Sequence, residues 1–197
     1  YKAVNTCDRG YTLEVICDMS TRVNPIAQRS KKWLCDALIE LLQEKPYSAI
    51  TITEMCDKAG LVRKTFYRNF TSKESVLVEI IDLMFQDFFE YISDQNLGPH
   101  EMPLAYFTFW EKHNVFLHIL IENQLFGLLN DQYVLYLEAM EHIIGTKHEY
   151  HSEIEKDYMR TMVAAGLWSI LKKWIIRGCT ESKEEMAKMT LDFFDIE

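Results

Sequence analysis

The amino-acid sequence predicts an all-α protein: an N-terminal three-helix head with a helix-turn-helix, followed by a C-terminal helical bundle. Three observations carry this expectation. The 197 residues include only seven glycines and four prolines, too few for a turn-rich β architecture. Apolar residues recur at three-to-four spacing along most of the chain, the period of a helix face. Capping signatures stand where helices should begin, at Thr51–Glu54, Thr71–Glu74 and Ser182–Glu185.

Residues 1–24 show no convincing periodicity and are expected to form a mobile N-terminal arm, part of it upstream of a natural start at Met19. Asn24 then offers an N-cap and Pro25 a first helical residue. Ile26, Ser30, Trp33, Leu34, Ala37, Leu38, Leu41 and Leu42 follow as one amphipathic stripe, which Lys45-Pro46-Tyr47-Ser48 ends. Thr51 and Glu54 open a short helix in which Met55, Cys56 and Ala59 face inward, and Gly60 supplies the positive φ that stops it. The chain resumes as a helix at Arg63 and runs to about Phe70. A longer helix beyond Thr71 carries Val76, Leu77, Ile80, Ile81, Met84, Phe88 and Phe89 on its apolar side. After the Gly98-Pro99 break, helical patterns run over 101–112, 114–130, 132–147, 153–178 and 183–195. The expected domains are therefore 25–71 for the head and 72–197 for the regulatory and dimerisation body.

The formal net charge is −9, which by itself speaks against nucleic acid. Its distribution does not: residues 19–75 carry +4, whereas residues 76–197 carry −12. A basic head on an acidic body suits a protein that brings one end to phosphates, although so small a surplus also arises by chance. The five cysteines form no C-x-x-C pair, and Cys35 and Cys56 fall on apolar faces, which is thiol usage of a reducing compartment. No apolar run is long enough to span a membrane and no secretory layout opens the chain. A cytoplasmic protein with no membrane partner is expected.

The segment from Thr51 to Phe70 is a short helix, a glycine turn and a second short helix, the pattern of a helix-turn-helix. In the second helix Leu61, Phe66 and Phe70 should pack on Trp33, Leu38 and Met55. Arg63, Lys64, Tyr67 and Arg68 then project together from the other side, a cationic, hydrogen-bonding face suited to the major groove. A structural hairpin with a solvated face would have no packing reason to expose Tyr67 among three cations.

The run Ile50-Thr-Ile-Thr-Glu-Met-Cys-Asp-Lys-Ala-Gly-Leu-Val-Arg-Lys-Thr-Phe-Tyr-Arg-Asn-Phe-Thr-Ser-Lys-Glu74 resembles the signature of the tetracycline-repressor (TetR) family of transcriptional regulators. There a Thr-capped helix ends in Ala-Gly-Val, and Thr-Phe-Tyr-x-x-Phe leads to Lys-Glu. The resemblance covers about 50 continuous residues. It implies that Thr65 and Tyr67 contact phosphate and that Lys73 meets a phosphate at the next helix N-terminus, where anions are favoured on physical grounds too. Thr51 joins this DNA-contacting set, and Arg63, Lys64 and Arg68 become the candidates for base edges. Val62 departs from the family's usual Ser or Thr at the N-cap of the recognition helix, a loss of roughly 1 kcal/mol.

Residues 84–140 are rich in aromatics and methionine. Relatives sense small molecules in such a body, and an apolar cavity with a few polar groups is the usual ligand site. Phe88, Tyr106, Phe107, Trp110, Phe126 and Tyr136 are the candidate pocket residues, against the plainer reading that they are ordinary core. Tyr158, Met162, Gly166, Ile170 and Trp174 recur every four residues, and with Met186, Met189 and Phe193 they are expected to form a homodimer seam. The competing reading has both helices closing the protomer's own core. His142, His148 and His151 with Glu141 and Glu149 could hold a metal, but a solvated turn explains them better, so no metal and no cofactor are expected. No phosphate loop and no nucleophile–base set occurs, so no catalytic residue is assigned and the chain is expected not to be an enzyme.

The function expected is a ligand-responsive repressor that binds double-stranded, palindromic operator DNA as a dimer. An unknown small-molecule effector would spread its two heads out of register. Two alternatives differ in class: the same fold as an activator responding to a partner protein, and, more remotely, a metal-binding helical protein with a vestigial head.

Overall fold

The computed structural model describes residues 25–95, 97–98, 100–129, 133 and 151–194. Among them the regular elements are all helical: α1 (Pro25–Glu44), a 3-10 turn (Tyr47–Ala49), α2 (Ile52–Lys58), α3 (Arg63–Asn69), α4 (Lys73–Ser93), α5 (Met102–Lys112), α6 (Asn114–Glu122), α7 (Glu153–Ile176) and α8 (Lys183–Phe194). The proposed arm, the stretch 134–150 and the last three residues lie outside the described set.

Local chemistry explains where these helices start. Thr51 Oγ1 accepts from the Glu54 amide at 3.2 Å while Glu54 Oε2 accepts from the Thr51 amide at 2.9 Å, so both ends of the capping box close. Ser182 and Glu185 repeat the arrangement at the start of α8. At α4 the cap is one residue later than the sequence suggests: Ser72, not Thr71, is the N-cap, and its reciprocal partner is Ser75, not Glu74. A serine hydroxyl is short enough to reach back three residues, which leaves Glu74 free to face solvent.

The stops follow one scheme. Gly60 and Gly178 adopt φ of +66° and +73°, and the amides after them return to Cys56 O and Trp174 O. Gln124 does the same at φ +59°, with the Leu125 amide on Leu120 O at 2.8 Å. The expected continuous helix over 114–130 is therefore broken after Glu122. No glycine marks the break, so nothing in the local pattern announces it.

Head and body share one core. Leu34, Leu38, Met55, Phe66 and Leu77 lie at 0% exposure in the same buried cluster that continues through Phe85, Trp110 and Trp174. Trp33 stays outside it at 45% exposure, contrary to the sequence expectation, because α1 turns its Leu34–Leu38–Leu41 stripe inward instead. Cys35 and Cys56 are buried free thiols, and burial pushes Cys35 up to about 12. Helix α4 is common to both regions: α1 packs on it near one end, and Lys31 bridges to both Glu79 carboxylate oxygens at 2.9 Å.

One turn further along, burial and the neighbouring Glu79 push the Asp82 carboxyl up to about 6, with Lys31 opposing. A raised carboxyl pKa contributes stability that is complete below its unfolded value and is lost as pH rises through about 6. Asp82→Asn, neutral at every pH, should therefore leave stability nearly unchanged at pH ~4 and raise it by about 1–2 kcal/mol at pH ~7.5. Thermal melts of both proteins at the two pH values check this. A variant gaining equally at both would exclude the carboxyl as the source.

Candidate nucleic-acid interface

Helix α3 is two turns long and too short to be stable alone. Phe66, 0% exposed, anchors it in the core, and Phe70 follows with its ring 6.0 Å from Phe66. Its N-cap is Val62, whose side chain makes no cap hydrogen bond and is 69% exposed. The Thr65 amide instead closes on Val62 O at 2.8 Å, and Asn69 Nδ2 donates to Thr65 O at 2.7 Å. Packing and these bonds hold what propensity does not.

With Phe66 turned inward, Arg63, Lys64, Tyr67 and Arg68 all stand exposed on one side. Tyr67 is 54% exposed, held edge-on to Phe66 and bonded by Arg63 Nη2, which donates to its hydroxyl at 3.2 Å. Thr65 is half-buried beside them, and Thr51 is exposed at the start of α2. The electrostatics sort the head's cations into two sets. Lys58 pairs with Glu40 and Glu44, Lys45 with Glu54, Lys32 with Asp36 and Lys31 with Glu79. Among the described residues no carboxylate comes within ion-pair distance of Arg63, Lys64 or Arg68. The recognition face thus presents unneutralised charge, while Lys31, Lys32, Lys45 and Lys58 elsewhere on the head are paired.

Lys73 is placed differently from the others. Its ammonium donates to Tyr47 O at 2.5 Å and Ile50 O at 2.8 Å, and lies 4.0 Å from the centre of the Tyr47 ring. Burial lowers its pKa from the usual lysine value. Two of its three N–H groups therefore tie the 3-10 turn to α4, leaving at most one for DNA. Lys73→Ala should cost the fold about 1–3 kcal/mol, since bonds to a charged donor are lost, while lowering the slope of log affinity against log salt by about one at most. A thermal melt run beside a salt series separates the effects; an unchanged melt would deny the structural role.

Sequence reasoning missed the polar link between head and body. The Tyr47 amide donates to Asn123 Oδ1 at 2.7 Å, and Asn123 Nδ2 returns to Ile119 O at 2.9 Å. The two residues are 76 apart in the chain, so no spacing could reveal the pair. Asn123 sits beside the left-handed Gln124 at the end of α6. Asn123 and Lys73 thus hold the same 3-10 turn from the two sides of its backbone, one through the Tyr47 amide and the other through the Tyr47 carbonyl.

In the body, Phe88, Tyr106, Phe107, Trp110 and Phe126 are all buried in the one core cluster; Tyr136 lies outside the described residues. Phe107 faces Trp174 at 5.4 Å, whereas Tyr106, Trp110 and Phe126 gather around Trp168, a residue outside the candidate pocket set. Of the candidate seam, Tyr158, Met162, Met189 and Phe193 are exposed at 72%, 56%, 50% and 76%, and Gly166 and Ile170 are half-buried. Trp174 and Met186, at 1% and 6%, are instead inside the protomer, and Trp174 Nε1 donates to Glu181 O at 2.8 Å. Steps of four residues turn about 40° each around a helix, about 160° over four steps. A stripe that begins outside at Tyr158 must therefore finish inside at Trp174. Of the histidine group only His151 is described, and it is exposed; no potential metal cluster occurs among the described residues. No helix there is long and apolar enough to cross a membrane.

Comparison with known proteins gives this geometry its context. The family model "Bacterial regulatory proteins, tetR family" matches residues 34–80, and a model of a transcriptional regulator C-terminal region matches residues 98–195. A curated relative, the HTH-type dhaKLM operon transcriptional activator DhaS of Lactococcus lactis subsp. lactis (strain IL1403), is 26% identical over 162 residues, 76% of this chain and 81% of the relative. A solved structure, the dihydroxyacetone kinase operon activator DhaS, covers 83% of this chain and 93% of its own at a TM-score of 0.56 and 23% identity, a likeness of fold. With an all-helical fold, a helix-turn-helix head and both regions matched, this chain belongs to the TetR family of DNA-binding transcriptional regulators.

Proposed function

We propose that this protein binds an inverted-repeat operator as a homodimer, reads each half-site with one α3, and is gated by an effector acting on its helical body. The observation that carries the reading is the unneutralised Arg63–Lys64–Arg68 face around an exposed Tyr67, on a head where Lys31, Lys32, Lys45 and Lys58 are each held by a carboxylate. Arginine donates bidentately to guanine in the major groove, and Thr51, Thr65 and Tyr67 supply neutral phosphate contacts. Lys73 adds at most one further donor. Each head offers few contacts, so a second head held at high effective concentration is needed for specific binding. Exposed Tyr158, Met162, Met189 and Phe193 are apolar groups that a second copy would cover. A two-fold dimer implies a two-fold operator.

The curated relative's description as an operon activator supports activation as the direction of control. The repressor reading rests on the habit of the wider family. Selecting bound sites from random DNA should recover inverted repeats with half-sites about one helical turn, or a multiple, apart. Transcription from a promoter carrying the selected site, with and without the protein, then gives the sign. Recovery of single half-sites bound by one protomer would refute the dimeric reading.

A further inference from the structure

Among the described residues, three hydrogen-bonding groups in the middle of the body find no partner. Tyr106 Oη, Trp110 Nε1 and Trp168 Nε1 are fully enclosed without a partner, on side chains 3%, 0% and 2% exposed. Their rings form one cluster: Trp110 and Trp168 lie 5.1 Å apart, and Tyr106 is 6.3 Å from the first and 6.5 Å from the second. Phe85, Tyr133 and Phe126 close around Trp168 at 5.9, 5.1 and 5.5 Å. Buried polar groups are almost always paired, and each orphan loses its hydration with no return. Phenylalanine would fill the same space without that loss. The buried indole of Trp174, by contrast, has its carbonyl partner in Glu181.

The chemistry of the cluster limits what would complete it. Indole nitrogen donates and never accepts, so the missing groups are acceptors. None of the six rings carries a charge at neutral pH, since the phenols of Tyr106 and Tyr133 stay protonated. Lys172 lies over the ring of Phe126, at 5.7 Å, and burial lowers the pKa of His113 beside Trp110, which disfavours its cation. Burial also pushes the Tyr106 and Tyr133 phenols upward, a sign that negative charge is disfavoured there. We propose that the Tyr106–Trp110–Trp168 cluster is the effector site, and that its ligand is a small, neutral, largely apolar molecule bearing carbonyl- or ether-type acceptors. The inference rests on the effector-gated reading above and gives that effector a chemical class. It also supplies a route. Phe126, packed on Trp168, is three residues from Asn123, which holds the Tyr47 amide of the head.

The four indole N–H signals of the 15N-labelled full chain, assigned by single Trp→Phe variants, read this directly. The probes are acetophenone, ethylbenzene, which has its shape but no acceptor, and benzyltrimethylammonium. Acetophenone should move the Trp110 and Trp168 signals downfield and leave Trp174 in place. Ethylbenzene should bind about tenfold more weakly, because the donors stay unpaired. Tyr106→Phe, which removes one oxygen, should raise the melting temperature of the free protein and weaken acetophenone several-fold. Equal binding of the two neutral probes overturns the acceptor requirement. Preference for the cation, or no movement of Trp110 and Trp168 with any probe, overturns the site. Operator binding is read separately by fluorescence anisotropy without probe. Its failure with the indole shifts intact would sink the operator reading and leave this site standing.

Discussion

Arg68→Ala is expected to weaken binding of the dimer to its selected operator by about 30-fold to 10⁴-fold. One bidentate arginine–guanine contact discriminates by about 1–3 kcal/mol, and a dimer loses it twice, so about 2–6 kcal/mol is at stake at roughly 1.4 kcal/mol per factor of ten. The fold should be nearly indifferent, since Arg68 is exposed and meets no described carboxylate. Lys58→Ala is the control within the same head. Lys58 is held by Glu40 at 3.2 Å and Glu44 at 2.6 Å, so its charge is already compensated and its removal should change operator affinity little. Anisotropy at one fixed salt concentration, on the selected and a scrambled site, distinguishes lost base reading from lost general attraction. A loss below threefold, or an equal loss on both sites, would remove Arg68 from the base-reading set.

Gly166→Leu should leave the protomer folded and abolish the proposed dimer. A Cβ built at Gly166 meets nothing within 4 Å, so the protomer has room for a side chain. Any residue better suited to a helix than glycine should even stabilise that protomer, by up to about 1 kcal/mol. The site lies on α7 between exposed Met162 and half-buried Ile170, where a second copy would need close approach. Loss of the dimer should lower operator affinity by about 10²–10⁴-fold, because the second head no longer acts intramolecularly. Gly166→Ala should raise the melting temperature with a smaller effect on assembly. Light scattering and thermal melts give both readouts. A full dimer of Gly166→Leu would move the seam elsewhere on the surface.

Much of the head is legible in local pattern because its chemistry is local. Thr51 and Glu54 close a capping box within four residues, Gly60 ends α2 by its own φ, and the alternation of Phe66 with Tyr67 faces one ring inward and one out. The cap at Ser72 was misplaced by one residue because Thr71, Ser72, Glu74 and Ser75 offer two overlapping boxes. The break at Gln124 is invisible in local pattern because a residue other than glycine occupies the left-handed position. The four-residue stripe on α7 misled in its last member, since only the 3.6-residue turn decides which side a residue reaches.

Residue order alone establishes the helical class, the helix-turn-helix and the cationic face of α3, all of which depend on neighbours within about one or two turns. Which partners those residues meet is a property of the packed chain. Packing assigns Lys73 to the carbonyls of Tyr47 and Ile50, joins Tyr47 to Asn123, and turns Trp174 inward while leaving Phe193 exposed. It also gathers Tyr106, Trp110 and Trp168 from two helices into one cluster whose polar atoms meet no acceptor among the described residues. The reason is range: capping and periodicity act along the chain, whereas burial and hydrogen-bond satisfaction are settled between segments far apart in sequence, where no spacing rule applies.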